Sequence, residues 1–215
     1  MTSGAPTIVL ASGSPRRRQL LAGLGLHFEI DPPREEEGAW SPGEPPNAYA
    51  ARVAADKAAE VAVRHPGALV VAADTVVVLE GDILGKPADP TAARAMLTRL
   101  SGREHLVHTG VAVRAPDGGR TTGTEVTEVR FRAFGSEEIE AYVATGEPLD
   151  KAGAYGIQGF GATLVEAVRG CYFNVMGLPV VRLLALLREV GWAYRVPGRL
   201  QVVSPASPPR SVPNP

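Results

Sequence analysis

One stretch constrains the fold more than any other: residues 68–79, Ala-Leu-Val-Val-Ala-Ala-Asp-Thr-Val-Val-Val-Leu. It is apolar and β-branched on both sides of a single carboxylate, and far shorter than the ~18 uncharged apolar residues of a membrane span. It reads as a buried strand or strand pair, with Gly81-Asp82 turning the chain before Ile83 and Leu84. An ionised carboxylate in such a strand is costly unless it is paired, hydrogen-bonded or bound to a metal. Asp74 therefore asks for a partner. A strand-end Asp facing solvent is the plainer alternative, and the apolar residues flanking it argue against that.

Strand and helix signals alternate around this run. Residues 7–11 read as a short buried strand, followed by Ser14, suited to capping, and Pro15 at the first helical position of a helix that Gly25 closes. Residues 31–46 form a loop dense in Pro, Gly and Glu, and residues 48–65 a helix carrying Lys57. Asp89-Pro90 opens another helix, with Ala93, Met96, Leu97 and Leu100 on one face. Strands at 105–114 and 124–134 are joined by Pro116-Asp117-Gly118-Gly119, a hairpin turn signal. A helix starts at Ser136 and ends at Gly146, and residues 150–161 are Gly-punctuated without a clear period. Residues 163–168 and 171–176 read as a further hairpin and residues 179–190 as a closing helix. Crossovers and hairpins together predict an α/β protein with a mixed twisted sheet. From Arg195 the composition turns Pro-rich, so the expected organisation is one domain over residues 1–194 and a flexible tail over 195–215.

Composition narrows the function classes. The 22 Lys+Arg against 23 Asp+Glu give a formal net charge of -1, which argues against a duplex DNA binder that works by neutralising phosphates, so no nucleic-acid partner is expected. Any bound anion is small and locally held. Cys171 is the only cysteine of the 215 residues, so neither an internal disulfide nor a multi-thiolate zinc site is expected and a reducing cytoplasm is the natural setting. Residues 1–10 lack a basic segment followed by a long apolar one, so no secretion and no membrane partner are expected.

The segment Leu10-Ala11-Ser12-Gly13-Ser14-Pro15-Arg16-Arg17 is the richest in chemistry. A helix start presents unpaired N–H groups and the positive end of the macrodipole, and Gly13 permits close approach to the backbone. Ser12, Ser14 and the arginines complete a phosphate cradle, although an ordinary capped helix with a solvated basic patch explains the segment equally well. Successive helical residues point about 100° apart, so Arg16, Arg17 and Arg18 cannot all face one ligand, and Arg16 is the first choice for contact. Gly81-Asp82-Ile83-Leu84-Gly85-Lys86-Pro87 looks like a P-loop but is one residue short and lacks the following hydroxyl, which excludes a Walker-type site. Lys86, stiffened by Pro87, still suits a phosphate contact. His105 and His108, three apart on a strand, point to opposite faces and cannot share an ion through it. Glu35, Glu36 and Glu37 read as a solvated acidic run whose oxygens also suit magnesium or manganese.

Six ordered motifs carry a resemblance: Ser12-Gly13-Ser14-Pro15-Arg16-Arg17, Ala73-Asp74-Thr75, Gly85-Lys86-Pro87, Leu100-Ser101-Gly102-Arg103, Glu147-Pro148-Leu149-Asp150-Lys151-Ala152-Gly153-Ala154-Tyr155-Gly156-Ile157-Gln158-Gly159 and Val175-Met176-Gly177-Leu178-Pro179. Together they resemble the Maf family of nucleoside triphosphate pyrophosphatases from about residue 7 to about residue 190. The resemblance implies an elongated two-lobed fold with a central cleft, similar to the inosine triphosphate pyrophosphatases. It also implies hydrolysis between the α- and β-phosphates and a homodimer. Arg16, Thr75 and Gln158 match the version of the motifs that resembles the dTTP/UTP type rather than the 7-methyl-GTP type.

On that resemblance Asp74 is the general base or a holder of metal-bound water, a choice the sequence leaves open, and Glu36 and Glu37 are the favoured acidic-loop residues. A divalent cation, magnesium or manganese, is expected at Asp74 and Glu37. Arg16, Lys57, Lys86 and Lys151 supply cations for the phosphates, as attack at phosphorus requires. Ser12, Gly13, Ser14, Arg17 and Thr75 complete the substrate site. Gln158, which both donates and accepts, suits the O4 and N3–H edge of uracil or thymine. Two other readings remain at this stage: a purine triphosphate pyrophosphatase on the same fold, and a nucleotide-binding regulator of septum formation without turnover.

Overall fold

The computed structural model describes residues 6–41 and 43–204. In chain order the elements are β1 (Ile8–Leu10), α1 (Pro15–Gly23), β2 (Glu29–Ile30), α2 (Pro46–Arg64), β3 (Leu69–Leu79), β4 (Asp82–Leu84), α3 (Pro90–Leu100), β5 (Glu104–Arg114), β6 (Arg120–Phe131) and α4 (Ser136–Ala144). Three short 3-10 helices follow (Glu147–Asp150, Ala152–Ala154 and Gly159–Leu164), then β7 (Val165–Arg169), α5 (Tyr172–Val175), α6 (Val180–Glu189), β8 (Trp192–Arg195) and β9 (Arg199–Val202).

The main sheet has seven strands in the order β2-β1-β3-β5-β6-β7, with β4 attached to β3. It is mixed: β1 runs parallel to β2 and β3, while β3, β5, β6 and β7 are successively antiparallel. The run at 68–79 is thus a single strand, and it is the spine of the molecule. One edge of β3 pairs with β5 from Val70 to Val78. The other edge is shared: β1 takes Leu69 to Val71 and β4 takes Val77 to Leu79. Between those two pairings, at Asp74, no described strand covers β3.

That interruption divides the hydrophobic interior. On one side Leu10, Leu69, Val71 and Val113 pack with Leu183, Leu186 and Leu187 of α6, and Val9, Val70, Ala72 and Ala112 pack under α2 through Ala54, Ala58 and Val61. On the other side Val77, Leu79, Val107, Val129 and Phe131 pack with Leu97 and Leu100 of α3 and Ile139 and Val143 of α4. The expected two-lobed α/β fold with a mixed sheet follows from this one strand serving both interiors.

Side chains on a strand alternate between faces. Val70 and Ala72 pack under α2, and Val76 and Val78 pack with Ala50 near its start, so Asp74 shares the α2 face. Thr75 falls on the opposite face with Ala73 and Val77. Gly110 sits directly across from Asp74 on β5. A Cβ there would lie 2.2 Å from the Ala50 carbonyl oxygen, so only glycine lets α2 approach the sheet this closely.

Two sequence expectations are corrected and one element is added. Residues 163–176 do not form a hairpin: β7 pairs with β6, and 171–176 contain the single turn of α5. The cause is Asn174, fully buried, whose Nδ2 donates to the Val107 carbonyl at 2.9 Å and to Thr127 Oγ1 at 3.0 Å and so ties the turn to the sheet. The two-residue strand β2 is too short to leave a period in the sequence. The Pro-rich segment does not begin its tail at Arg195, because Arg199–Val202 pair antiparallel with β8. Leu200 is buried in the α6-side core and Tyr194 Oη donates to the Leu24 carbonyl at 2.7 Å. Residues 205–215 of the expected tail lie outside the described residues. No helix among the described residues is long and apolar enough to cross a membrane.

Candidate active site

The uncovered edge of β3 opens into a cleft of about 580 Å³ walled by both lobes. Ser12, Gly13, Ser14, Arg16 and Arg17 come from the β1–α1 turn, Tyr49 and Lys57 from α2, Asp74 and Thr75 from β3, and Lys86 from the segment after β4. Lys151, Tyr155, Gly156 and Ile157 close it on the far side, and Glu35 and Glu37 reach it from the acidic loop.

Asp74 is only 6% exposed, and its partner is Lys57, whose Nζ donates to Oδ1 at 2.7 Å. The same ammonium stands 2.7 Å from Glu37 Oε1. Two carboxylates from distant segments thus converge on one cation. Burial works against ionisation of Glu37, yet the Lys57 hydrogen bond and charge, with Lys86 and Arg17 nearby, hold its carboxyl below the usual range. Asp74 Oδ2 makes no hydrogen bond with any described residue and is left to meet water or ligand.

Arg17 and Thr75 form the floor on the other face. Arg17 Nε donates to the Gly177 carbonyl at 2.8 Å, Nη1 to Ser12 Oγ at 3.2 Å and Nη2 to Thr75 Oγ1 at 3.1 Å. Thr75 Oγ1 also lies 3.0 Å from Thr109 Oγ1. Burial lowers the Arg17 pKa, opposed by the charge of Asp74. A guanidinium held on three sides is a fixed positive charge. Ser14 caps α1, accepting weakly from the Arg17 N–H at 3.5 Å, and Ser12 Oγ accepts from the Ser14 N–H at 3.2 Å, which shapes the turn around Gly13. The sequence signal that located this turn, Ser-Gly-Ser-Pro, therefore describes its geometry.

Arg16 and Lys86 line the cleft without an ion pair to any described residue, while Lys151 Nζ bonds the Glu147 carbonyl and stands 2.6 Å from Asp150 Oδ1. Of the expected site residues, two are not brought into the wall. Glu36 does not line the cleft, whereas Glu35 and Glu37 do. Gln158 is half-buried just beyond Ile157, and the wall there is made by Gly156 and Ile157. The sequence reading gave no site role to Tyr49, Thr109, or the motif residues Tyr155 and Gly177. Thr109 had no local signal, since its position beside Thr75 comes from strand register.

His105 and His108 behave as ordinary buried histidines. His105 Nε2 is 2.8 Å from Tyr155 Oη, and burial pushes its pKa down to about 4. Among the described residues no cluster of three or more His, Cys, Asp or Glu side chains is placed to hold a metal. Beyond the oxygens that Lys57 holds, Asp74 and Glu37 are hard carboxylate donors of the kind magnesium takes one or two of, completing its shell with water and substrate phosphates.

The arrangement defines a class: a two-lobed α/β protein whose central cleft sets fixed and free cations around a buried carboxylate, as polyphosphate chemistry requires. The chain belongs to the Maf family, residues 7–190 matching the family model for Maf-like proteins. It is 55% identical over 185 residues to a dTTP/UTP pyrophosphatase of Moorella thermoacetica, covering 86% of this chain and 95% of the relative. It is 51% identical over 189 residues to a dTTP/UTP pyrophosphatase of Nitratidesulfovibrio vulgaris, covering 88% and 90%. Among solved structures it resembles the Staphylococcus aureus Ham1 protein at 16% identity, with a TM-score of 0.45 over 74% of this chain and 79% of that one.

Proposed function

We propose that this protein hydrolyses dTTP and UTP to the monophosphate and pyrophosphate, as a house-cleaning enzyme of the nucleotide pool. The observation that carries the reading is the placement of Asp74 in the gap of β3, within one cleft with Arg16, Arg17, Lys57, Lys86 and Lys151. Five cations suit a triphosphate and are excessive for a neutral ligand. The names of the relatives supply the base preference, and Arg16, Thr75 and Gln158 agree with it.

In this reading the Ser12-Gly13-Ser14 turn and the start of α1 receive phosphate oxygens, with Arg16, Lys86 and Lys151 adding charge. Arg17 fixes the floor and holds Thr75. Lys57 holds Asp74 in place through Oδ1, and Oδ2 takes the proton from the attacking water. Glu37 and Asp74 would hold magnesium or manganese, which supplies charge neutralisation at the nonbridging oxygens. Gln158, at the exit of the Gly156-Ile157 wall, reads the pyrimidine edge. A homodimer in the cytoplasm belongs to the same reading, supported by the family resemblance and by the lone thiol of Cys171.

The test is product analysis on a panel of canonical and modified nucleotides with magnesium or manganese. UMP and dTMP with pyrophosphate are expected; release of orthophosphate, or no turnover of either pyrimidine, overturns the reading.

A further inference from the structure

The carboxylate of Glu147 lies outside the cleft wall, yet three donors from α4 and the segment 156–161 converge on it. Tyr142 Oη donates to Oε1 at 2.9 Å, the Gly161 N–H to Oε1 at 3.1 Å and the Phe160 N–H to Oε2 at 2.9 Å. Tyr142 Oη in turn accepts from the Gly156 N–H at 3.1 Å. The segment 156–161 is therefore gripped at both ends by one acid–phenol pair. The glycines of the segment are there to let it close. A Cβ on Gly159, at φ +68°, would stand 2.5 Å from Glu147 Oε2, and one on Gly161 2.5 Å from Tyr142 Oη. The backbone of Glu147 also matters, since its carbonyl accepts from Lys151 Nζ.

We propose that Glu147 is a positioning residue for substrate selection: its carboxylate fixes the wall formed by Gly156 and Ile157, and with it the outlet that presents Gln158. This rests on the reading of the cleft as a nucleoside triphosphate site. Glu147 touches neither phosphate nor base. Its burial opposes ionisation, while the backbone N–H groups of Phe160 and Gly161 and the Tyr142 hydroxyl together hold it in the charged form. A charged acceptor of several N–H and O–H groups is worth more than the same number of neutral bonds, because charge-assisted bonds are roughly twice as strong. Glu147→Gln keeps the shape but sets an amide N–H₂ against one of these donors, since one of the two terminal atoms can no longer accept.

The experiment has two arms on the full-length protein. Amide exchange without nucleotide is expected to quicken roughly tenfold at Phe160 and Gly161 in Glu147→Gln, while Gly153, whose N–H bonds the Gly85 carbonyl, stays at the wild-type rate. In kinetics, KM for UTP and dTTP is expected to rise about tenfold with kcat changed less than about threefold, and the preference for UTP over GTP to shrink. Tyr142→Phe, which deletes one hydroxyl from a buried ring, is expected to move both readouts the same way by less, and it decides the question should the glutamate variant not fold. Unchanged exchange, or quickened exchange with unaltered KM and base preference, overturns the proposal. If wild type turns over neither pyrimidine, the proposed reaction falls. Weakened UTP binding by titration calorimetry in Glu147→Gln then still upholds the positioning role, and equal binding overturns it.

Discussion

Lys57 Nζ lies 2.7 Å from Asp74 Oδ1, with the two side chains only 12% and 9% exposed. The contact joins α2 to the one stretch of β3 that neither β1 nor β4 covers, so a single ion pair both ties the helix to the strand and sets the carboxylate in the cleft. Removing one partner of a buried pair leaves an uncompensated charge. Lys57→Met is expected to lower unfolding free energy by about 3 kcal/mol in a urea titration. A change below about 1 kcal/mol would mean that water already screens the pair.

Asp74→Asn preserves the shape and a hydrogen-bonding oxygen for Lys57 but cannot take a proton. The fold and nucleotide binding are expected to persist, with kcat reduced by at least about a hundredfold. Near wild-type kcat in a variant that still binds UTP removes Asp74 as the base.

Glu36 and Glu37 are adjacent in sequence and opposite in consequence, because only Glu37 reaches Lys57. Glu37→Ala is expected to raise the magnesium concentration needed for half-maximal activity roughly tenfold, whereas Glu36→Ala leaves it within about twofold. Equal effects in a metal titration would show that the loop rearranges when substrate binds.

What the sequence made legible follows from how local each signal is. The Ser12-Gly13-Ser14-Pro15 turn, the apolar run of β3 and the helical faces of α2, α3 and α6 are written in neighbouring residues, so capping and periodicity expose them. Asp74 announced itself because a carboxylate among valines is costly. Its partner was a candidate cation, but the pairing of Lys57 with both Asp74 and Glu37 depends on Gly110 letting α2 sit close, a contact between segments far apart in the chain. The choice between Glu36 and Glu37 turns on which way an irregular loop points, and such a loop has no period to read. Thr109 and Asn174 were invisible for the same reason: strand register and a buried amide bring them to the sheet beside the cleft.

His105 gives stability a pH dependence with a definite sign. Its folded pKa of about 4 lies below the ordinary 6.5, so the unfolded chain binds the proton more readily between those values. The contribution is fully present above about pH 6.5 and is lost as pH falls towards 4, at up to about 1.4 kcal/mol per pH unit and about 3 kcal/mol in total. His105→Gln keeps a partner for Tyr155 Oη and does not titrate. Urea titrations at pH 7.5, 6 and 5 are expected to show a shallower fall in the variant than in wild type; parallel lines would place the titration elsewhere.

The C-terminal strand separates two truncations that composition alone treats as one. The Pro-rich residues from Arg195 onward offer little apolar surface on paper, which predicts that cutting after Arg199 is harmless. In the structure Leu200 is buried beside α6, Trp192 pairs with Val202 and Ala193 with Gln201, and the Val203 N–H donates to the Gly191 carbonyl at 2.9 Å. Removing residues 200–215 strips a leucine from the core and the ladder from β8, and burying a leucine side chain alone is worth about 2 kcal/mol. That deletion is expected to lower Tm by roughly 5 °C or more, at the ~2–4 °C per kcal/mol typical of a domain this size. Removing only residues 205–215 leaves every one of these contacts in place and is expected to shift Tm by less than about 1 °C. An unchanged Tm in both deletions would detach β9 from the stability of the fold, and an equal fall in both would give residues 205–215 a stabilising role of their own.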